Sequence, residues 1–161
     1  MKEVFFMLYL DFAALIPFYD DRGQNSTCVL FKDGSKEYFN CSVKNYMTTL
    51  LYELHLDPHS LRFWTSQIIG TKLNIPLTID EHHIFLPVKF RKPVTKQDGC
   101  FGYVSRDLIS HVEDGLLTFT TGSTLQHLSK KSYLNKKQKD AALLSYAYTD
   151  FKKQYEFMWK S

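Results

Sequence analysis

Lys89, Arg91, Lys92 and Lys96 place four cations within eight residues, with Asp98 the nearest carboxylate. Like charges set this close repel one another, so a loop that carries them points outward, to water or to an anion. Apolar runs flank the loop, Ile84 to Val88 before it and Phe101 to Val104 after it. Two strands joined by a cationic, proline-punctuated connection is the simplest physical reading. Lys130 and Lys131 form a second basic pair further along. Two basic stretches facing one partner point to a polyanion, and nucleic acid is the commonest. The competing reading is a solvated loop together with the wet face of an amphipathic helix.

Other reactive side chains point to less. His82, His83 and Cys100 are too few, and too unfavourably placed along an extended chain, for a metal site. His55 and His59 stand four apart, but Pro58 between them breaks any single helix. Cys100 with His111 or His127 could form a nucleophile and base, yet a buried strand thiol is the ordinary role of such a cysteine. There is no phosphate-binding glycine loop and no hydrolase-type Gly-x-Ser-x-Gly. The expectation is therefore a protein that is not an enzyme and uses neither cofactor nor metal.

The elements that must carry these side chains follow from patterning. The chain has 161 residues, 44% of them hydrophobic and 16% aromatic, enough for a core. Its three cysteines, Cys28, Cys41 and Cys100, do not suggest a disulfide framework. The apolar run from Val4 to Ile16 holds Asp11 at its middle and lacks a cleavage signal, so neither a leader nor a membrane span is expected. A soluble, cytoplasmic protein is the expectation. From Lys130 onward eight lysines face three carboxylates, and residues 84–105 hold four cations against one. The remainder is net acidic, so charge is polarised along the chain.

Residues 1–41 read as a β-meander. Strands lie near 4–19, bent at Pro17, then at 27–32 and 37–41, with Asp33-Gly34 as the hairpin turn. A helical hairpin spans 42–70. Its first helix carries Val43, Met47, Leu50, Leu51 and Leu54 on one face. Its second opens at Asp57-Pro58 and closes at Gly70. Residues 71–128 return to β structure, including 108–112 and 116–121. A C-terminal amphipathic helix at 135–159 carries a stripe of Leu143, Leu144, Ala147, Tyr148, Phe151 and Tyr155, with Lys136, Lys137, Lys139, Lys152 and Lys153 largely off it. The fold class is α+β: antiparallel meanders, a central helical hairpin and a C-terminal helix in one domain.

Several fragments, in order, resemble the ComK competence transcription factors of low-GC Gram-positive bacteria. Ala13 to Asp20 followed by Gly23 is similar to the family's N-terminal strand and turn, and Ser42-Val43-Lys44 to the opening of its helical region. Ile84-Phe85-Leu86-Pro87 resembles its aromatic run ending in proline. Cys100 with Val104-Ser105 is similar to its Cys-x-Trp-Ile-Ser element, although Phe101-Gly102-Tyr103 replaces the tryptophan with one residue more. Thr118-Phe119-Thr120 with Gly122 and Thr124, then Ser132-Tyr133, resemble its late hairpin and the approach to its last helix. The glycine-rich signature at the second helix is absent, and Leu56 to Trp64 reads LDPHSLRFW.

The resemblance implies an activator of DNA-uptake genes that binds AT-rich double-stranded DNA, mainly through the minor groove, as a homodimer or higher assembly. Arg91 would then read the groove, with Lys89, Lys92, Lys96, Lys130 and Lys131 on phosphates and Arg62 and Lys72 as outlying contacts. Glu156-Phe157-Met158 resembles a tail motif that implies an adaptor and a Clp-type protease. The alternative is a ComK-like protein-interaction module without sequence-specific DNA binding.

Overall fold

Turn chemistry sets the first strands. The computed structural model describes residues 8–94 and 99–160. Strand β1 (Phe12–Tyr19) pairs antiparallel with β2 (Asn25–Phe31), and β2 with β3 (Lys36–Phe39). Gly34, at φ +88°, closes the second hairpin where Phe31 N–H donates to the Ser35 carbonyl. Helix α1 (Val43–Glu53) starts at Ser42, whose Oγ accepts from the Asn45 amide. Helix α2 (Pro58–Ile69) starts at Asp57 and ends on left-handed Gly70. The Asp57 and Gly70 caps stand where the sequence places them, and each of the three satisfies amides or carbonyls that a helix end leaves open.

Four more β elements follow: β4 (Leu77–Asp80), β5 (His83–Lys89), β6 (Phe101–Ser105) and β7 (Ile109–Glu113). Strands β8 (Leu116–Phe119) and β9 (Thr124–Gln126) complete a three-stranded sheet with β7. The larger sheet runs β3-β2-β1-β6-β5-β4, all pairs antiparallel. Pro76 falls just before the edge strand β4, where a missing N–H costs no ladder bond.

The large sheet buries both faces by alternation along its strands, broken at the β1 bulge where Ala13 and Ala14 share one core. Ala14, Ile84, Leu86, Val88 and Val104 face the small sheet and the C-terminal helix α3 (Lys131–Lys160). Leu15, Val29, Ile79 and Phe85 face α1 through Tyr46, Met47, Leu50 and Leu51. Helix α2 rounds the β4 edge, where Trp64 meets Tyr148 of α3 edge-on, with ring centroids 6.2 Å apart. The architecture is thus α+β as the sequence implies, with both helical units laid against one antiparallel sheet.

The structure departs from the sequence reading at both ends of the chain: Leu8–Asp11, expected within the first strand, is a short 3-10 helix, and β1 begins at Phe12. Helix α3 begins four residues earlier than the period indicates, because Asp114 Oδ1 accepts the Lys131 amide at 2.7 Å across 17 residues of chain. Its buried face is Leu134, Lys137, Ala141 and Leu144, while Leu143, Phe151 and Tyr155 are exposed. The expected stripe fails because the sheet covers only the first half of the helix; every residue from Asp150 to Met158 is exposed. Lys137 lies on the core side, 5% exposed, its ammonium 3.9 Å from Asp140 and above the Tyr133 ring. A long aliphatic stem lets a lysine do this, and burial pulls its pKa down against the pull of Asp140.

Strands β1 and β6 pair only through Ala14–Val104 and Leu15–Tyr103, then part. Pro17 sits beyond that point, so β1 loses no bond to β6 at the residue that cannot donate. Gly102 marks the close approach: a Cβ there would lie 2.1 Å from the Leu15 carbonyl oxygen and 2.9 Å from the Phe90 ring.

Candidate nucleic-acid interface

Strand β5 carries the basic loop's first residue into contact with the second basic cluster. The Leu128 amide donates to the Lys89 carbonyl at 2.7 Å. The Lys89 amide donates to Ser129 Oγ at 2.9 Å. These bonds cross 40 residues of sequence and hold the segment leading into α3 beside the end of β5. Lys89, Lys130 and Lys131 therefore share one edge of the molecule, with exposed Lys92 three residues beyond Lys89.

His127 fixes this junction. Its amide donates to the Gly115 carbonyl and its Nδ1 accepts from the Ser129 amide at 3.0 Å. The ring is 4% exposed, and burial holds its pKa below the ordinary 6.5. A neutral imidazole is what this geometry needs, since Nδ1 must be unprotonated to accept.

The cations on the edge differ in their freedom. No carboxylate lies within ion-pair distance of Lys89, Lys92 or Lys130 among the described residues. Lys131 stands 3.5 Å from Glu113, both about half exposed. His111 and Lys131 together hold the Glu113 carboxyl below its usual range, with the histidine contributing most. Lys96 lies outside the described residues.

Arg91 is placed differently from its neighbours. Its guanidinium stacks over the Tyr19 ring at 4.0 Å, its Nε donates to the Gly99 carbonyl at 2.8 Å, and its Nη2 donates to Asn25 Oδ1. It clamps the far ends of β1 and β2 to the two arms of the β5–β6 loop. Reading a DNA groove with this side chain would require breaking those contacts.

Arg62 lies on α2 and Lys72 in the segment that follows the hairpin. The Arg62 Nη2 reaches the Lys72 carbonyl at 3.4 Å, and both residues are exposed. Arg62 and Arg91 line the same cleft, between the hairpin and the parted ends of β1 and β6. That pairing was hidden in the sequence, where they stand in different structural units.

The histidines and Cys100 are dispersed. His83 Nδ1 bonds Asp80 at 2.8 Å at the start of β5, whereas Cys100, whose carbonyl accepts from Phe90, lies at the strand's other end. Among the described residues no cluster of three or more His, Cys, Asp or Glu is disposed to hold a metal ion. No helix among them is long and apolar enough to cross a membrane. Neither family models, nor curated proteins, nor solved structures give a match to the chain.

Proposed function

We propose that the protein is a DNA-binding transcriptional regulator of the ComK type, an activator of DNA-uptake genes that takes AT-rich duplex. The observation that carries this reading is the double backbone link between Lys89 and Leu128–Ser129, which joins two basic stretches distant in sequence into one edge. The resemblance adds to it, because Ile84–Pro87 lies in β5 and Val104–Ser105 in β6, the frame of that edge. Lys89, Lys92 and Lys130 contact phosphates, and Lys131 joins them when Glu113 releases it. Arg91 braces the loop in the free protein and reads the DNA minor groove by exchanging its contacts to Tyr19, Gly99 and Asn25 for the duplex. The protein works in the cytoplasm, on the nucleoid, as a homodimer or higher assembly.

Gel-shift titrations with AT-rich and GC-rich duplexes over a salt series test the reading. Affinity should fall linearly on a log–log salt plot, by about 0.9 in slope per phosphate contact, and Lys130→Ala should weaken both duplexes alike. Duplex binding indifferent to salt would overturn it. Arg91→Ala should reduce the preference for the AT-rich duplex, and an unchanged preference removes Arg91 from the reading role.

A second reading, a protein-interaction module without sequence-specific DNA binding, has its own observation. Tyr146, Phe151 and Phe157 of α3 are 57–74% exposed, more aromatic surface than a helix face needs for solubility. Absence of any duplex binding, with retained self-association or capture by a Clp-type adaptor, would favour it.

A further inference from the structure

The cleft between the helical hairpin and the parted strands encloses about 700 Å³. That volume falls inside the range of roughly 300–1,000 Å³ typical of small-molecule sites. Its floor is apolar, built from Val43, Met47 and Leu51 of α1, Leu61 of α2, Leu77 of β4 and Phe101 of β6. Its charged lining is of one sign: Lys44, Arg62 and Arg91, with His59 beside them, and no aspartate or glutamate among the described residues that line it. None of the three cations has a carboxylate within ion-pair distance among the described residues. Like charges around one concavity raise its potential, and low-dielectric walls focus it.

One of those cations is fixed. Arg91 is held by the Tyr19 ring, Gly99 and Asn25, and its Nη1 is buried with no hydrogen-bond partner among the described residues. A guanidinium anchored in this way is preorganised, and a buried donor left without an acceptor favours a ligand that supplies one. Arg62 approaches from α2, close enough to oppose the burial-driven rise in the pKa of Tyr103, whose ring lines the cleft.

We propose that this cleft binds a small amphipathic anion, an alkyl carboxylate whose chain lies on the floor and whose head group meets Arg62, Arg91 and Lys44. The planar fork of arginine matches a carboxylate in two parallel hydrogen bonds. The apolar floor selects for chain. The site shares Arg62 and Arg91 with the nucleic-acid reading but none of its phosphate lysines, since neither Lys89, Lys92 nor Lys130 lines it.

Calorimetric titration of the full chain with octanoate, decanoate and decanol, each below its micelle threshold, tests the site. Decanoate should bind more tightly than octanoate, by up to about fourfold per added methylene. Decanol, which lacks the charge, should bind at least about tenfold more weakly than decanoate. Arg62→Gln is on an exposed side chain and leaves the fold intact, which circular dichroism checks. It should weaken decanoate about tenfold with decanol unchanged, and Arg62→Lys should restore part of the loss. Lys44→Gln gives a second, independent loss. The proposal is overturned if decanoate does not bind, if decanol matches it, if chain length has no effect, or if both charge-removing variants bind as the parent does.

Discussion

The cationic edge and the cationic cleft use similar residues to opposite ends. Lys89, Lys92 and Lys130 on the edge carry long, flexible stems whose head groups have no carboxylate in reach among the described residues, and Lys89 is tied to the frame through its backbone. Arg91 in the cleft is fixed at its head group by a ring, a carbonyl and an amide oxygen. Flexible lysines suit a regular polyanion, where any phosphate will do and the gain comes from released counterions. A fixed guanidinium over an apolar floor suits one discrete anion of defined shape. Charge alone does not distinguish the two regions. What the head groups are tied to does.

The shared frame is the place to break both at once. Gly102 lies on β6 between the edge and the cleft, and its missing side chain lets β1 and the Phe90 ring close in. Gly102→Val forces the Leu15 backbone away, and no flexible side chain is available there to yield. Overpacking of this kind costs about 3 kcal/mol or more. Thermal denaturation should show a large drop in melting temperature, with duplex and decanoate binding lost together.

Leu144→Ala separates the regions. Leu144 is fully buried between α3 and the sheet, and its truncation should cost roughly 2–5 kcal/mol. The loss loosens α3, which carries Lys130 and Lys131 at its start, while the cleft lies on the opposite face of the sheet. In the protein still folded at low temperature, duplex affinity should fall and decanoate affinity should hold. Denaturant titration gives the first number and the two binding assays the comparison.

Removing edge charge sharpens the contrast without disturbing the fold. The double change Lys89→Ala with Lys130→Ala should reduce the salt slope of duplex binding by about 2, from two lost phosphate contacts. Decanoate binding should be unaltered. Arg62→Gln should show the reverse pattern.

The sequence was explicit about everything whose cause is local. Ser42, Asp57-Pro58 and Gly70 delimit both helices of the hairpin because capping acts within four residues. Asp33-Gly34 closes its hairpin for the same reason. Features set by distant partners were not legible. Asp114 caps a helix that begins 17 residues later, and Arg91 meets Asn25 across 66 residues. The second half of α3 carries apolar residues at helical spacing, yet nothing in that spacing says that the sheet ends before them. Residue type alone places Lys137 on the wet face, whereas its register with Leu134, Ala141 and Leu144 puts it inside. The basic loop could be recognised, but its division into a bound arginine and free lysines could not.

Acid should weaken the edge before it touches the rest. The folded protein keeps His127 neutral, so its pKa lies below that of the unfolded chain. The unfolded state then binds more protons as pH falls past 6.5, the ordinary value, and stability declines. The contribution is complete above that value and is lost as the pH drops through the folded-state pKa. Asp33, Asp57, Glu81 and Glu113 are also held below their ordinary values of 3.8 to 4.5, so their losses begin at lower pH. Melting temperature measured between about pH 7.5 and pH 5.5 should therefore fall in the parent. His127→Asn, whose side-chain oxygen can still accept from the Ser129 amide, should flatten that fall.

The smallest effect concerns Glu113, and its sign is the informative part. The carboxylate faces Lys131 and His111 at the surface, where ion pairs contribute little to stability. Glu113→Gln should leave the melting temperature nearly unchanged. It removes a negative charge beside the proposed phosphate contacts and frees Lys131 for one of them. Duplex affinity should therefore rise, and the salt slope should grow by up to about 0.9, one additional contact. The cleft, on the other face, should bind decanoate as before. A duplex affinity that falls instead would mean that Glu113 orders Lys131 for binding rather than competing with the phosphate, and the edge would then be a built site like the cleft.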